Sequence, residues 1–191
     1  MEDRPPAEAD LVARARRGDQ AAYGDLVATH QEIAFRVAYL VLGDVAEAQD
    51  AAQEAFVKAY RAIDRFREGS AFRPWLLRIV SNAARNRRRA TSRRRGLQLR
   101  AEAATARDAT VPSAEASVLR DERRRTLLAA INALSPDDRL VIGVRYFLDL
   151  PEAEIAALAG VAPGTVKSRL SRARARLAQA LGGDRAGWLD G

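Results

Sequence analysis

The sequence predicts an all-α protein: two small helical domains joined by a flexible linker, the second domain a helix-turn-helix bundle. Three observations lead there. Ala, Leu, Arg and Glu dominate while aromatic residues make up only 6% of the chain, and straight-chain residues lose little rotamer freedom in a helix. Apolar residues recur every three or four positions through both halves, the spacing that puts them on one helical face. Finally, Gly18-Asp19 and Gly43-Asp44 punctuate this pattern. Glycine tolerates the left-handed helix stop, and the following Asp accepts the orphan N–H groups of the next helix.

In chain order, helices are expected over about 9–17, 20–30 and 32–42, and a long one behind Asp44. A turn at 68–70 precedes a further helix from Pro74, a residue suited to a first helical position. The N-terminal domain thus spans 1–90. Residues 91–117 lose apolar periodicity and fill with Ala, Thr, Ser and Arg, the composition of a linker. A C-terminal domain, 118–181, follows with helices over 118–134, from Ser135-Pro136, from Leu150-Pro151 and after Pro163-Gly164-Thr165. Residues 182–191 read as a frayed tail.

The chain has 191 residues, no Cys and 48% hydrophobic content, so it can bury one or two modest cores and has neither disulfides nor thiolate metal sites. The N-terminus is acidic and polar, unlike a secretory signal, and the longest apolar stretch, 33–42, is too short to cross a bilayer. A cytoplasmic protein without membrane insertion is expected. A net charge of +7 points to a polyanionic partner. The charge is unevenly placed: residues 1–56 carry more acids than bases, whereas 73–95 and 155–183 contain bases and no acid.

In the second domain, the short helix 151–159, the break Gly160-Val161-Ala162-Pro163 and the helix from Thr165 have helix-turn-helix spacing. Ala156 is small enough for a close crossing, Gly160 permits the turn, and Val166 returns to the core. Val166, Leu170, Ala173 and Leu177 share one narrow sector at 100° per residue. The remaining surface carries Thr165, Arg169, Arg172 and Arg176 on one flank, Lys167 and Arg174 on the other, and Ser168 and Ser171 between. Such a helix fits the major groove, its early residues reaching base edges and its later arginines holding phosphate.

In the first domain, the helix from Pro74 places Leu76, Ile79, Val80 and Ala83 inward and Arg78, Ser81, Asn82, Arg85 and Arg89 outward. An outward face without acid can track a phosphate backbone, with Asn82 a candidate for a base edge. Gly69 and Ser70, in the adjoining loop, leave room for a displaced base. Trp75 is read as core packing and stays outside the site. On the preceding helix, Val45, Ala48, Ala52, Phe56, Ala59 and Ile63 form the inward stripe. Asp50, Gln53 and Glu54 lie outside it, either as a docking patch for a protein partner or, for Glu54 with Lys58, as a plain i,i+4 pair.

Taken together, Gly43-Asp44 with 49–56 (Gln-Asp-Ala-Ala-Gln-Glu-Ala-Phe), 72–82 (Phe-Arg-Pro-Trp-Leu-Leu-Arg-Ile-Val-Ser-Asn) and 164–170 (Gly-Thr-Val-Lys-Ser-Arg-Leu) resemble an extracytoplasmic-function (ECF) sigma factor of the sigma-70 family. The resemblance covers about 20–90 and 118–180 in the right order. It implies a dissociable subunit that binds bacterial RNA polymerase core, directs it to promoter DNA, and carries out promoter recognition, melting and initiation. By the same resemblance, Asp50, Gln53 and Glu54 dock on the coiled coil of the largest polymerase subunit. The loop with Gly69 and Ser70 and the helix bearing Asn82 read the start-proximal element as melted single strand. The helix from Thr165 to Arg176 reads the upstream element as duplex, and the linker threads the polymerase cleft and RNA exit path. The family usually has an anti-sigma partner that masks these surfaces. One departure is Gln49, where the family commonly carries an acid beside Asp50, which makes the docking surface less negative. Another is the long basic run 85–95, which adds nonspecific phosphate affinity.

The main rival is a dimeric helix-turn-helix regulator that reads an operator without joining polymerase, but no heptad or large apolar face supports a dimer, and a monomer is expected. An enzyme is disfavoured because no P-loop, paired-carboxylate motif or nucleophile constellation occurs; no catalytic residue, metal site or cofactor is assigned. His30, the sole histidine, is read as structural and without partners.

Overall fold

A computed structural model describes residues 7–67, 69–101 and 118–181. Among them are eight α-helices: α1 (Glu8–Arg16), α2 (Gln20–Leu42), α3 (Val45–Ala62), α4 (Phe72–Ala101), α5 (Val118–Ala133), α6 (Pro136–Tyr146), α7 (Glu152–Ala159) and α8 (Pro163–Ala180). A single 3-10 turn, Ile63–Arg65, follows α3. The all-α expectation is met among the described residues.

Helix ends follow the local chemistry. Asp19 and Asp44 cap α2 and α3, accepting from the N–H groups of Ala22 (3.0 Å) and Glu47 (2.8 Å). Between them Gly43 adopts φ 74 and closes α2 by donating to the Tyr39 carbonyl. Ser135 caps α6, its hydroxyl accepting from the Asp138 N–H at 3.2 Å with Pro136 in the first turn.

Two expectations about boundaries are corrected. Segments 20–30 and 32–42 form one continuous helix, because no Gly, Pro or capping pattern separates them and a single buried stripe, Leu26, His30, Ala34, Val37 and Val41, runs through both. The helix foreseen from Pro74 begins at Phe72 and runs to Ala101, eleven residues into the expected linker. Its Arg-rich extension, 91–101, adds Leu and Gln, which are also good helix formers, although it lacks an apolar stripe. The rest of that linker, 102–117, and the tail 182–191 lie outside the described residues.

Helices α2, α3 and α4 form the first core. Ala34, Ala38, Ala48, Ala51, Ala55, Ala59 and Ala84 are all fully buried along their crossings, so the backbones approach closely, and Leu26, Val37, Leu76, Leu77 and Val80 fill the remaining space. Val45, expected on the α3 stripe, is 54% exposed, because it sits at the helix's first position beyond the reach of α2. An aromatic cluster closes one end: the Trp75 ring lies 5.1 Å from Phe66 and 5.5 Å from Phe72. His30 is not alone. Its Nε2 lies 2.8 Å from Glu8 Oε1 of α1, and its ring packs 5.4 Å from Phe72. The second core gathers Leu140, Ile142, Ile155, Leu158, Val166 and Leu177 from α6, α7 and α8, with Leu150 from the connection between α6 and α7. The domains pack on each other, α6 against α2 and α7 against α4.

Tyr23 ties α2 to α3 by donating its hydroxyl to the Phe56 carbonyl at 2.6 Å. Burial pushes its phenol from 10.0 up to about 12. Since the folded value is raised, this contribution is complete below pH 10 and disappears as pH rises toward 12. Tyr23→Phe should cost about 0.5–1.5 kcal/mol near neutral pH. The deficit should shrink between pH 10 and 12, as denaturant melts of both chains across that range would measure.

Candidate nucleic-acid interface

On α4 the outward face is built by the same periodicity that buries Leu76, Leu77, Val80, Ala83 and Ala84. Arg78, Asn82 and Arg89 are exposed, as expected, and Gly69 (φ 76) and Ser70 form an exposed turn just ahead of the helix. Ser81 is not on that face. It is fully buried, with a hydroxyl oxygen that has no hydrogen-bond partner. The reason is geometric: α4 is covered on two sides, by α2 and α3, so the buried sector is wider than a single stripe and takes in the position between Leu77 and Ala84.

Arg85 is also placed differently from the expectation of an outward cation. Its side chain is only 13% exposed, and it donates to the Leu158 and Ala159 carbonyls of α7 at 3.1 and 3.2 Å while lying 3.5 Å from Asp137. Burial is the first reason its pKa lies below the usual arginine value, opposed by Asp137 and reinforced by Arg169 and Arg88. Arg169 of α8 is therefore close enough to be felt by Arg85.

On α8, Val166, Ala173 and Leu177 are buried and Leu170 is partly so, which leaves the expected polar surface outward. Gly160 makes the preceding turn at φ 67, and Ala156, 4% exposed, lies at the helix crossing. Lys167, Ser168 and Arg172 are exposed, Thr165 and Arg169 half-buried. Ser168 donates to the Thr165 carbonyl at 3.0 Å, and Arg172 Nε to the Ser168 carbonyl at 3.2 Å. Arg176, expected to hold phosphate, pairs with Asp138 of α6, whose side chain is only 8% exposed and also receives the Ser135 hydroxyl at 2.8 Å. A carboxylate drawn inward by its helix cap needs a cation, and Arg176 is within reach.

On α3, Asp50, Gln53 and Glu54 are exposed together on one face. Gln53 borders a groove with Val27, Phe35, Gln49 and Phe56. Glu54 pairs with Lys58 at 2.5 Å, the i,i+4 pair the sequence suggested, and faces outward. A residue that the sequence reading overlooked, Arg87 of α4, donates to Asp50 at 2.6 Å and also pairs with Glu47. The Glu47 hydrogen bond is the first cause that raises the Arg87 pKa. The sequence holds no signal for this bridge, because it joins positions 37 and 40 residues apart.

Among the described residues no cluster of His, Asp and Glu could hold a metal ion, and no helix is long and apolar enough to cross a membrane. The two arginines of α8 should separate by experiment. Arg176→Ala, which strands the inward-drawn Asp138, should lower the stability of the chain by about 1–3 kcal/mol. Arg172→Ala, from the open surface, should stay within about 0.5 kcal/mol of the parent in the same urea titration.

Comparison with known proteins agrees with this arrangement. Residues 26–94 match the family description Sigma-70 region 2, and 124–177 match Sigma-70, region 4. The RNA polymerase sigma-H factor of Pseudomonas aeruginosa is 39% identical, with 90% of this chain and 92% of the relative covered. The ECF RNA polymerase sigma-E factor of Escherichia coli K12 is 40% identical over 86% of this chain and 88% of its own. Among solved structures, CnrH in complex with the cytosolic domain of CnrY superposes with a TM-score of 0.65 at 29% identity, covering 94% of this chain and 99% of that one. The sigma factor RpoE of Bartonella quintana, solved with the anti-sigma factor NepR, gives 0.63 at 27% identity over 85% and 98%. With α2 to α4 matching region 2, α5 to α8 matching region 4, and relatives aligned over nearly the whole chain, this protein belongs to the ECF sigma factors of the sigma-70 family.

Proposed function

We propose that the chain acts as a dissociable initiation subunit: it joins RNA polymerase core through α3, reads a melted start-proximal element with α4 and its preceding turn, and reads an upstream duplex element with α8. The single observation that carries this reading is the pair of acid-free basic faces, on α4 and α8, set on two separate small domains, with an acidic face on α3 next to the first. Each DNA surface is small. A clamp that holds both at promoter spacing supplies the preorganisation that neither has alone.

The division of labour follows from chemistry. Asn82, exposed among Arg78 and Arg89, is the base-reading candidate on α4, and Gly69 and Ser70 leave open space where an unstacked base could lie. On α8, Thr165, Lys167, Ser168 and Arg169 lie toward the helix N-terminus, where base edges are reached, and Arg172 follows for phosphate. Asp50, Gln53 and Glu54 supply the docking face, with Arg87 orienting Asp50 from behind. Residues 91–117 connect the two readers. The protein performs no catalysis of its own, works in the cytoplasm and has an anti-sigma partner of the kind named with the Bartonella RpoE.

Core polymerase supplemented with the purified chain should start transcripts at new positions on a promoter library, as run-off synthesis would show. If core neither captures the chain nor gains start sites, the reading fails. Within that holoenzyme, Arg172→Ala should weaken all promoters alike and lower the salt slope of binding by about 1. Arg169→Ala should cost about 1–3 kcal/mol and relax preference at one base pair. Asp50→Lys should reduce holoenzyme assembly in a pull-down with core while leaving the melting temperature of the free chain close to the parent.

A further inference from the structure

A small cavity adjoins the turn that precedes α4. Its volume is about 180 Å³, and it lies between α1 and the segment from Phe66 to Phe72. The inner wall is apolar: Val12, Phe66 and Phe72 are all buried, and the two phenyl rings meet edge to face with centroids 5.9 Å apart. The rim is polar, with Glu8 and Arg16 from α1 and Ser70 from the turn. Beside Ser70 the space stays open, since a Cβ at Gly69 would meet nothing within 4 Å. An apolar slot with aromatic walls and a hydrogen-bonding rim suits a base that has left its stack, with the ring against the walls and the edge against the rim.

Glu8 is the unexpected member of that rim. Residues 73–95 contain no acid, and a carboxylate beside a surface that takes nucleic acid repels phosphate. It is nevertheless held in place. Glu8 Oε1 lies 2.8 Å from Nε2 of His30, which is only 5% exposed and packs with its ring centroid 5.4 Å from that of Phe72. This bond ties α1 to α2 and engages one carboxylate oxygen, while the group keeps lone pairs on the other. An ionised carboxylate only accepts, so what it recognises must donate. Cytosine offers its N4 amino group for that purpose, whereas thymine presents the O4 acceptor at the same place. Ser70 and Arg16 bring donors to the same rim, which complements the ring acceptors beside the cytosine amino group.

We propose that Glu8, tethered by His30, is a specificity-determining residue for the melted strand: it accepts the exocyclic amino group of a displaced base seated against Val12, Phe66 and Phe72, and so selects cytosine over thymine. The inference rests on the strand-reading role of α4 and its preceding turn proposed above. It adds to that role a reading residue from α1, a helix that carries neither basic face. The size of the cavity suits a single-ring base. The acid is tolerated beside DNA because the group it meets is a base edge and not a phosphate.

The test uses the full chain assembled with core polymerase, and Glu8→Gln as the variant. Glu8 is exposed at the first position of α1, and the amide keeps an acceptor for His30, so the free chain should melt close to the parent. After run-off synthesis has located a start site, templates opened in advance over the melted segment carry cytosine or thymine at each unpaired position in turn. At one position the parent holoenzyme should bind the cytosine template more tightly by about 5- to 150-fold, the range of one good base-edge contact. Glu8→Gln, whose amide both donates and accepts, should bring the two within about twofold at that position and leave preferences elsewhere unchanged. Pyrimidin-2-one, which is cytosine without its amino group, should bind the parent as weakly as thymine does and the variant as well as cytosine does. A parent indifferent to cytosine and thymine at every melted position would overturn the proposal, and so would a preference that survives Glu8→Gln. In either case transcripts from the same preparations leave the initiation role standing. Absence of capture by core, or of transcripts, sinks the initiation reading and the base selection that depends on it.

Discussion

Close packing of α2, α3 and α4 through alanine is the constraint on which the functional surfaces depend. Ala34, Ala38, Ala48, Ala51, Ala55, Ala59 and Ala84 have no accessible surface, and larger side chains at these crossings would push the helices apart. The resulting layer is thin. An acidic face on α3 and a basic face on α4 consequently stand side by side, near enough for Arg87 to bridge from one to Glu47 and Asp50 on the other. The proposed polymerase-docking surface and the proposed DNA surface are thereby joined through a single side chain.

Arginine is the currency of the rest of the molecule, and its allocation separates structure from recognition. With 32 bases against 25 acids, some cations find carboxylates, some find helix carbonyls, and the remainder face solvent. Arg176 and Arg87 belong to the first group, Arg85 and Arg139 to the second, and Arg78, Arg89 and Arg172 are exposed on the basic faces. A buried guanidinium at a helix C-terminus is satisfied at little cost while it stays, yet it remains a good phosphate ligand if the partner helix leaves.

Much of this was legible in sequence because it rests on local rules. The Gly18-Asp19 and Gly43-Asp44 punctuation, the Ser135-Pro136 start and the Gly160 turn all depend on neighbours within four residues, and each is found where the pattern puts it. The inward stripe of α8 and the exposure of Asp50, Gln53, Asn82 and Lys167 follow from helical periodicity in the same way. Periodicity failed where a helix has more than one neighbour. Ser81 is buried because α4 is covered on two sides, and Val45 is exposed because it begins α3 beyond the edge of α2.

The sequence by itself therefore determined most of the helical segments, which faces are cationic, and to which family the motifs belong, since all three depend on short-range order along one chain. Only the tertiary structure decided what each cation does. Arg85, Arg87, Arg139 and Arg176 look alike in sequence, but their partners lie tens of residues away, at Leu158, Glu47, Leu40 and Asp138. A guanidinium takes its role from whichever acceptor the fold brings within hydrogen-bond reach, and that proximity is a property of helix packing that no local pattern encodes.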